Sequence, residues 1–573
     1  MNSEQQFRAR VILTLISIGA GFLIISLYWT QISKHEEYAS KADKQYAKPV
    51  IAAFDRGNIY FESKDGTRVS AAVVNTGFTL YMNPALLTTA TETYQALSEY
   101  IDLDSEDFMT KAGRTKEKYI PLAKQLTNDT AQLIKKIQLP GIGIAVENWR
   151  SYPGDSLAAH ALGIVGEDQR SIVVTGRYGL ERSYEDVLTR RSSVSNTNLF
   201  AQLFGGLNGV FGQSTSKEGD IVTSIEPATQ KYLEKMLSET QKLWNPDEIG
   251  GIVMDPKTGL IVAMASLPTF DPNMTGEIKN IKVLSNPLVE NVYEMGSIMK
   301  PLTMATALDT GALTVTSTYD DTGTMTLSGK KISNFDGRAR GIVSMQEILS
   351  QSLNVGAATI ALQVGKDDFA RYFFNFGLGD KTKIDLPNEA TGLVGNLISG
   401  RDIEIATAAY GQGLAVSPVN MAQALSVLAN GGFVVTPHLV KEIDYSDGTK
   451  EMIKTETKGP YLQRKTVEDV TRMLVNVVED KIAKAHPTIY WKNYSIAAKT
   501  GTAQIPDPVN GGYYGDRYLH SFFGYFPAYD PKFLVFLYQV HPKGAEYASE
   551  TLTDPFSDIV KFLINYYDVV PDR

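Results

Sequence analysis

The spacing of apolar residues changes along the chain and predicts an anchor followed by two different regions. Residues 11–29 contain no charged side chain, and a helix of that length covers about 28 Å, close to the ~30 Å hydrocarbon core of a membrane. From 32 to about 190, short β-like runs such as 77–82 alternate with polar helical stretches such as 91–100, and turn residues are frequent. We therefore predict a membrane helix and then a turn-rich module without a dense apolar core.

The second half of the chain has denser apolar segments, which predict an α+β domain. Residues 255–259 read Asp-Pro-Lys-Thr-Gly, a turn sequence, so the β runs on either side of it form a hairpin. The predicted strands are 249–254, 260–265, 521–526 and 533–540, and the predicted helices are 227–244, 302–312, 345–364, 403–430 and 556–567. Because strands occur early and late with helices between them, we expect an antiparallel sheet in which both ends of the domain meet, covered by helices.

Two further segments decide how the chain is divided. Residues 190–219 are rich in Ser, Asn and Gly, which is typical of a long connection between domains. The apolar segment near the N terminus competes with a cleavable signal peptide, but no clear small-residue cleavage site follows it. We predict an uncleaved anchor at 11–30.

Composition narrows the chemistry available to this protein. Its 573 residues are 43% hydrophobic and 21% charged, as in ordinary globular proteins, and the net charge of −9 argues against nucleic-acid binding. The absence of cysteine excludes thiol nucleophiles, iron–sulfur clusters, cysteine zinc sites and disulfides. The six histidines include no H-E-x-x-H motif. An enzyme working with hydroxyl, amine and carboxylate groups remains, or a binding protein.

The first candidate site is the S-x-x-K sequence at Ser297 and Lys300. Residues three apart share one face of a helix, so the lysine amine can reach the serine hydroxyl. A serine hydroxyl is a weak nucleophile without an adjacent base, and a lysine serves as one when burial lowers its pKa. S-x-x-K also occurs by chance in many chains, so this motif alone favours no function.

Two more short motifs follow. Ser352 and Asn354 place a hydroxyl and an amide two residues apart, which suits proton relay or binding of a substrate amide, or simply a polar helix cap. Lys499, Thr500, Gly501 and Thr502 form K-T-G-T, in which the charge and hydroxyls can bind a carboxylate and the glycine allows a ligand to approach the backbone. K-T-G is also an ordinary turn sequence.

The order of the three motifs identifies a family resemblance. They lie 352 − 297 = 55 and 499 − 352 = 147 residues apart, in the order found in β-lactamases and penicillin-binding proteins, with Leu353 in place of the Asp of S-D-N. The chain resembles a class B penicillin-binding protein over residues 8 to about 545. The resemblance also rests on shorter blocks at 56–59, 150–153, 159–163, 179–181, 411–413, 429–432 and 521–524.

This resemblance implies a peptidoglycan D,D-transpeptidase that β-lactams inhibit and that needs no metal or cofactor. It implies Ser297 as nucleophile, Lys300 as its base, Ser352 and Asn354 as proton relay and holder of the substrate amide, and Lys499, Thr500, Gly501 and Thr502 around the substrate carboxylate. The backbone N–H groups of Ser297 and Thr502 would form the oxyanion hole. The substrate would be a stem peptide ending in D-Ala-D-Ala.

The implied organisation has four parts. They are a cytoplasmic tail at 1–10, the transmembrane anchor at 11–30, a noncatalytic pedestal or dimerisation-type module at 31–215, and a transpeptidase domain at 216–573, outside the cytoplasm. Glycan strands would come from a partner, a SEDS-family glycosyltransferase of the same membrane, within the division or elongation machinery. A membrane-anchored D,D-carboxypeptidase and a noncatalytic scaffold remain as alternatives.

Overall fold

A computed structural model of the protein describes residues 54–168, 171–190 and 217–573, together with 14, 17–23 and 28–29 near the N terminus. Within this described part of the chain, no helix combines the length and the apolar character needed to cross a membrane. The predicted tail at 1–10 and half of the predicted anchor at 11–30 lie outside the described residues. So does most of the predicted connection at 190–219, and these three segments stay predictions.

The described chain divides into two compact units. The first contains Asn75–Trp149 together with Phe54, and the second contains Asp55–Val74 and Arg150–Arg573. The second unit thus takes in residues that precede the predicted boundary between 215 and 216, which stays a prediction.

The strands from residue 54 onward are numbered in chain order. They are β1 (Ile59–Glu62), β2 (Arg68–Met82), β3 (Ile120–Leu126), β4 (Ile142–Ser151), β5 (Val165–Asp168), β6 (Ser171–Gly176), β7 (Gly219–Thr223), β8 (Glu248–Met254), β9 (Ile261–Leu267), β10 (Thr318–Asp321), β11 (Thr324–Leu327), β12 (Lys330–Ser333), β13 (Gly341–Ser344), β14 (Val434–Val435), β15 (Val440–Tyr445), β16 (Lys450–Met452), β17 (Thr457–Lys458), β18 (Ala497–Pro506), β19 (Tyr513–Phe526) and β20 (Phe533–Val540).

The α-helices over the same residues are numbered likewise. They are α1 (Ala90–Ser98), α2 (Ser105–Ala112), α3 (Asn128–Ile137), α4 (Ala159–Leu162), α5 (Gly179–Ser183), α6 (Glu185–Leu188), α7 (Pro227–Trp244), α8 (Pro287–Glu290), α9 (Lys300–Asp309), α10 (Met345–Ser350), α11 (Asn354–Val364), α12 (Lys366–Asn375), α13 (Gly395–Ser399), α14 (Asp402–Ala408), α15 (Pro418–Ser426), α16 (Arg464–Val477), α17 (Ala483–Ala485) and α18 (Ala548–Tyr566).

The first unit packs three helices on a small sheet. Strand β3 is antiparallel to the part of β2 that follows Val74, and β4 also pairs with β2. Side chains of Asp104 and Thr127 cap the N termini of α2 and α3 by accepting backbone N–H groups. The fully buried apolar core is small, with Leu80, Met82, Leu97, Phe108 and Ile134 at its centre. This agrees with the sparse apolar pattern of these residues.

The second unit contains the predicted antiparallel sheet, in the order β18–β19–β20–β8–β9. The hairpin β8–β9 and the pairing of β20 with β8 confirm that early and late strands meet. Helix α18 covers one face, where Phe556 stacks on Phe522. Helix α16 covers the other, where the hydroxyls of Thr471 and Tyr525 are 2.8 Å apart. Residues 522 and 525 face opposite sides because side chains alternate along a strand.

Two predicted helices are interrupted in the structure. The segment 345–364 forms α10 and α11 with a break at Ser352, whose φ of 55° lies in the left-handed region. The segment 403–430 forms α14 and α15, and the residues between them include Gly411 and Gly413 at φ of 81° and 75°. The prediction of continuous helices was wrong at both places because left-handed residues end an α-helix although the apolar pattern continues.

A buried ion network stabilises the second unit. The Nε atoms of Arg56 and Arg150 donate to the two carboxylate oxygens of Glu181 at 2.5 and 2.6 Å, and Glu181 is 0% exposed. Arg150 also donates to the carbonyl of Gly57 at 2.8 Å. Arg56 also donates to the carboxylate of Glu185 at 2.8 Å. Glu181 thus contacts both buried guanidinium groups, and Glu185 contacts one of them.

We expect Glu181→Gln to lower the free energy of unfolding by about 3–5 kcal/mol, because the buried Arg150 loses its carboxylate partner and Arg56 keeps only Glu185. Urea unfolding of the full chain in detergent measures the change. Glu239→Gln is the matched control, since Glu239 forms only an exposed pair with Lys235. Equal unfolding midpoints for the two variants would contradict the role of this network.

Candidate active site

Ser297 and Lys300 lie on a tight turn that leads into α9. Gly296–Met299 is a 3₁₀ turn, and Pro301 occupies the first turn of α9, where a missing N–H is tolerated. Gly296 has φ of 65°, and a β-carbon there would lie 2.8 Å from the carbonyl oxygen of Thr502. The turn therefore requires glycine at 296, and it places Lys300 Nζ 3.0 Å from Ser297 Oγ.

The second motif meets the first through the break between α10 and α11. The left-handed conformation of Ser352 directs both its carbonyl oxygen and its Oγ at Lys300 Nζ, at 2.6 and 3.0 Å. Asn354 begins α11, and its Oδ1 accepts from Lys300 Nζ at 2.8 Å. Its Nδ2 donates to the carbonyl of Ser333 at 3.0 Å. That bond determines which end of the amide faces the lysine.

The third motif lies on β18, the edge strand of the sheet. Lys499 Nζ donates to Ser352 Oγ at 3.1 Å and to the carbonyl of Thr500 at 2.9 Å. The hydroxyl of Ser352 is thus within hydrogen-bond distance of two lysine amines. The structure brings all three sequence motifs together, from three elements that are far apart along the chain.

Gly501 is explained by packing against the turn that carries Ser297. A β-carbon at 501 would lie 2.4 Å from Ser521 Oγ, 2.7 Å from the carbonyl oxygen of Met295 and 3.1 Å from Ile298 Cγ2. Ser521 Oγ also donates to that carbonyl at 2.8 Å. The reason for glycine is therefore close approach of the protein's own backbone, rather than ligand approach from that side.

A cavity of about 660 Å³ opens on these motifs. Five predicted site residues line it, namely Ser297, Ser352, Asn354, Thr500 and Thr502. Lys300 and Lys499 do not line it; they are buried, at 1% and 2% exposure. A ligand in the cavity would meet the hydroxyls and the amide, while the two amines stay largely out of water.

Part of the cavity wall was not predicted from the sequence. The further lining residues include Asn334, Phe335, Tyr410, Gln412, Gln504 and Tyr547. Phe335 and Tyr547 meet edge to face, with ring centroids 5.9 Å apart. Of these residues only Gln412 stands in a block that the sequence singled out, the one at 411–413. The others come from loops and strand ends whose local sequence carries no chemical motif.

Burial determines the charge state of the two amines. It holds the pKa of Lys300 well below the ordinary 10.5, and the nearby charge of Lys499 lowers it further. Burial also lowers the pKa of Lys499 to about 7. The lowered pKa favours the unprotonated amine of Lys300, which can accept a proton from the adjacent hydroxyl of Ser297.

The fold and the three joined motifs are those of a penicillin-binding protein. Residues 249–561 match the family model described as the penicillin-binding protein transpeptidase domain, which covers more than half of the chain. Residues 53–223 match the penicillin-binding protein dimerisation domain. The chain belongs to this transpeptidase family and has its two-domain class B architecture.

Individual relatives are similar in sequence along nearly the whole chain. Stage V sporulation protein D of Bacillus subtilis is 28% identical, covering 96% of this chain and 85% of the relative. Peptidoglycan D,D-transpeptidase FtsI of Escherichia coli is 24% identical, covering 97% and 91%. These similarities favour a cell-wall transpeptidase over the carboxypeptidase and scaffold alternatives.

Solved structures show the same fold. Penicillin-binding protein 2X of Streptococcus thermophilus superimposes with a TM-score of 0.73 at 20% identity, covering 90% of this chain and 81% of that one. Penicillin-binding protein 3 of Mycobacterium tuberculosis has a TM-score of 0.65 at 25% identity, covering 74% and 92%.

The lowered pKa of Lys499 predicts a pH-dependent stability. The unfolded chain regains the ordinary pKa of 10.5, so between about 7 and 10.5 it binds more protons than the folded chain, and the free energy of unfolding rises with pH. Lys499→Met removes this contribution. We expect the unfolding free energy of the wild type, minus that of Lys499→Met, to increase as the pH rises from about 7 to 9.

Urea titrations across that range measure the difference. Lys492→Met, at an exposed lysine, is the control, because its side chain is in water in both states. A difference between wild type and Lys499→Met that is constant with pH, or that reverses in sign, would contradict the burial of a neutral amine at 499.

Proposed function

We propose that this chain crosslinks peptidoglycan stem peptides through a serine acyl-enzyme. One observation carries the proposal: the buried amine of Lys300, with its lowered pKa, lies 3.0 Å from Ser297 Oγ at the edge of an open cavity. A neutral amine at this distance is what activates a serine that has no histidine partner. Relatives named D,D-transpeptidase support the choice of reaction.

In the first step Ser297 Oγ attacks the carbonyl carbon of the penultimate D-alanine. The hydroxyl proton passes to Lys300 Nζ, and the backbone N–H groups of Ser297 and Thr502 stabilise the oxyanion. Losing one such donor typically reduces the rate about 10²–10³-fold. The backbone next to Ser297 lies close to the backbone of Thr502, since the carbonyl oxygen of Thr502 is 2.8 Å from where a β-carbon of Gly296 would lie. This closeness supports the assignment of these two N–H groups to one oxyanion hole.

Departure of the terminal D-alanine needs a proton on its nitrogen. Ser352 Oγ is suited to supply it, because it contacts both Lys300 and Lys499 and can be reprotonated from either. The carboxylate of the leaving residue would bind at Lys499, Thr500 and Thr502, where charge and hydroxyls coincide. Gly501 lets the strand lie close enough to the turn of Ser297 for these groups to converge.

In the second step an amine of a neighbouring strand attacks the ester. The new amide bond forms as the carbon–oxygen bond to Ser297 breaks, and the proton of the amine returns to Ser297 Oγ through Lys300. β-Lactams would enter the first step and stop there: the bond from Ser297 Oγ to the lactam carbonyl forms as the ring C–N bond breaks, and the displaced nitrogen stays tethered to the acyl group instead of departing.

We place this reaction outside the cytoplasm, with the apolar segment at 11–30 as a single-pass anchor. Peptidoglycan is assembled there, and the apolar length of that segment suits a membrane. The glycan strands to be crosslinked would come from a membrane glycosyltransferase, for which we propose a SEDS-family protein. The class B architecture supports such a division of labour between two proteins.

Ser297→Ala tests the acyl-enzyme. The full-length protein in detergent is incubated with a fluorescent penicillin, and the intact mass is measured. We expect the wild type to gain the complete mass of the drug on one site, because ring opening releases no fragment, and we expect Ser297→Ala to gain nothing.

Ser549→Ala is the matched control, because Ser549 lines the same cavity and is not among the hydrogen-bond partners of Lys300, which are Ser297, Ser352 and Asn354. This variant should still be acylated. An adduct that persists in Ser297→Ala would move the nucleophile elsewhere. Absence of any adduct on folded wild type between about pH 6 and 9 would refute the serine mechanism.

A further inference from the structure

A second cavity lies beside the active site, on the far side of a short chain segment. Its volume is about 440 Å³, and its walls are mainly apolar, with Leu393, Ala415 and Ile505 among the lining residues. Gln504 lines both this cavity and the active-site cavity. The two spaces therefore adjoin at the end of β18, the strand that carries K-T-G-T.

The segment between the cavities is attached to the turn of the nucleophile. Tyr410 and Gln412 line the active-site cavity, whereas Gly413 lines the second one. Between them, the carbonyl of Gly411 accepts from the N–H of Gly296 at 3.2 Å. A ligand in the second cavity is thus separated from the turn of Ser297 by little more than one strand of backbone.

Glu294 brings a negative charge to the wall of this second cavity, three residues before Ser297. Its carboxylate accepts from the Tyr513 hydroxyl, at 3.0 Å for Oε2, and from the N–H of Gly413. Both donors are neutral, and no cationic side chain in the described part of the chain forms an ion pair with it. Burial raises the pKa of this carboxyl, a penalty that a bound cation would offset.

We propose that the second cavity binds the acceptor, the amine-bearing aliphatic side chain of a second stem peptide, with Glu294 as counter-charge to its ammonium group. The inference rests on the proposed function, whose second step needs an amine that is cationic in water. The apolar walls suit the methylene chain, and the carboxylate suits the ammonium. The donor peptide ends in a carboxylate, which Glu294 would repel.

Transfer of the acyl group from Ser297 to an acceptor bound at this site balances in protons and bonds. The ammonium gives one proton to water, and the resulting amine passes Gln504 to attack the ester carbonyl at Ser297. The amide bond forms, the ester carbon–oxygen bond breaks, and the second proton returns to Ser297 Oγ. Glu294 therefore raises the local concentration of the acceptor without taking part in bond formation.

Partition of the acyl-enzyme between an amine and water tests the proposal. Full-length protein in detergent receives an acyl-D-alanyl thioester donor and one of two acceptors at about pH 8: Nα-acetyl-lysine amide, whose side chain is cationic there, or its aminooxy analogue of equal length, which is neutral. The ratio of amide product to hydrolysed acid is measured. This ratio does not depend on how fast the acyl-enzyme forms.

We expect Glu294→Gln to raise the lysine-amide concentration needed for half-maximal partition by roughly tenfold or more, since an ion pair is lost. For the neutral aminooxy acceptor, the concentration that Glu294→Gln needs for half-maximal partition should equal that of the wild type. Leu393→Trp, which fills the cavity from an exposed position, should impair both acceptors while hydrolysis continues. Glu239→Gln is the charge-removal control and should match the wild type with both.

Equal effects of Glu294→Gln on the two acceptors, or no effect on either, would overturn the proposed counter-charge. An unchanged partition in Leu393→Trp would overturn the assignment of the cavity as the acceptor site. This second test remains valid even if Glu294→Gln does not fold. If neither amide nor hydrolysed acid appears with the wild type, no acyl-enzyme forms, and the proposed function fails together with this inference.

Discussion

Two lysine amines buried around one serine hydroxyl are the arrangement on which the catalytic unit depends. Ser352 Oγ lies 3.0 Å from Lys300 Nζ and 3.1 Å from Lys499 Nζ. Two ammonium groups so close and so dry would be strongly unfavourable, so burial selects the neutral form of at least one of them. The carbonyl of Ser352 and the amide oxygen of Asn354 give Lys300 the acceptors that a buried amine requires. Reactivity at this site follows from desolvation that the fold imposes.

Close backbone contacts between separate elements maintain that desolvation. A β-carbon at Gly411 would lie 2.2 Å from the carbonyl oxygen of Gly296, and one at Gly501 would lie 2.4 Å from Ser521 Oγ. Each glycine therefore allows two chain segments to approach within a distance that any side chain would prevent. A one-ångström increase in the distance between β18 and the chain at Ser352 would lengthen the 3.1 Å contact between Lys499 Nζ and Ser352 Oγ beyond hydrogen-bond range. The glycines thus control the chemistry although they carry no functional group.

The sequence allowed prediction of the sheet and of the three motifs, because strand periodicity and short motifs are local properties. It did not allow prediction of the break at Ser352, since the apolar helical pattern runs through it and the left-handed conformation is held by contacts with Lys300, 52 residues away. Phe335 and Tyr547 were missed for a related reason. Their place in the cavity wall depends on how distant loops meet, and neither residue type signals a site by itself. The role of Gly501 likewise became apparent only from the atoms that surround it.

The charges around Ser297 differ on its two sides, and this difference bears on how two substrates could bind in turn. Lys499 and the hydroxyls of Thr500 and Thr502 suit an anionic donor terminus, whereas the carboxylate of Glu294 suits a cationic acceptor. A protonated Lys300 would repel that acceptor as well as fail as a base. On the proposed mechanism, the low pKa of Lys300 therefore has two consequences: it makes the amine able to take the proton of Ser297, and it removes a positive charge from the path of the incoming ammonium. The same burial that activates the nucleophile would then also favour transfer to an amine.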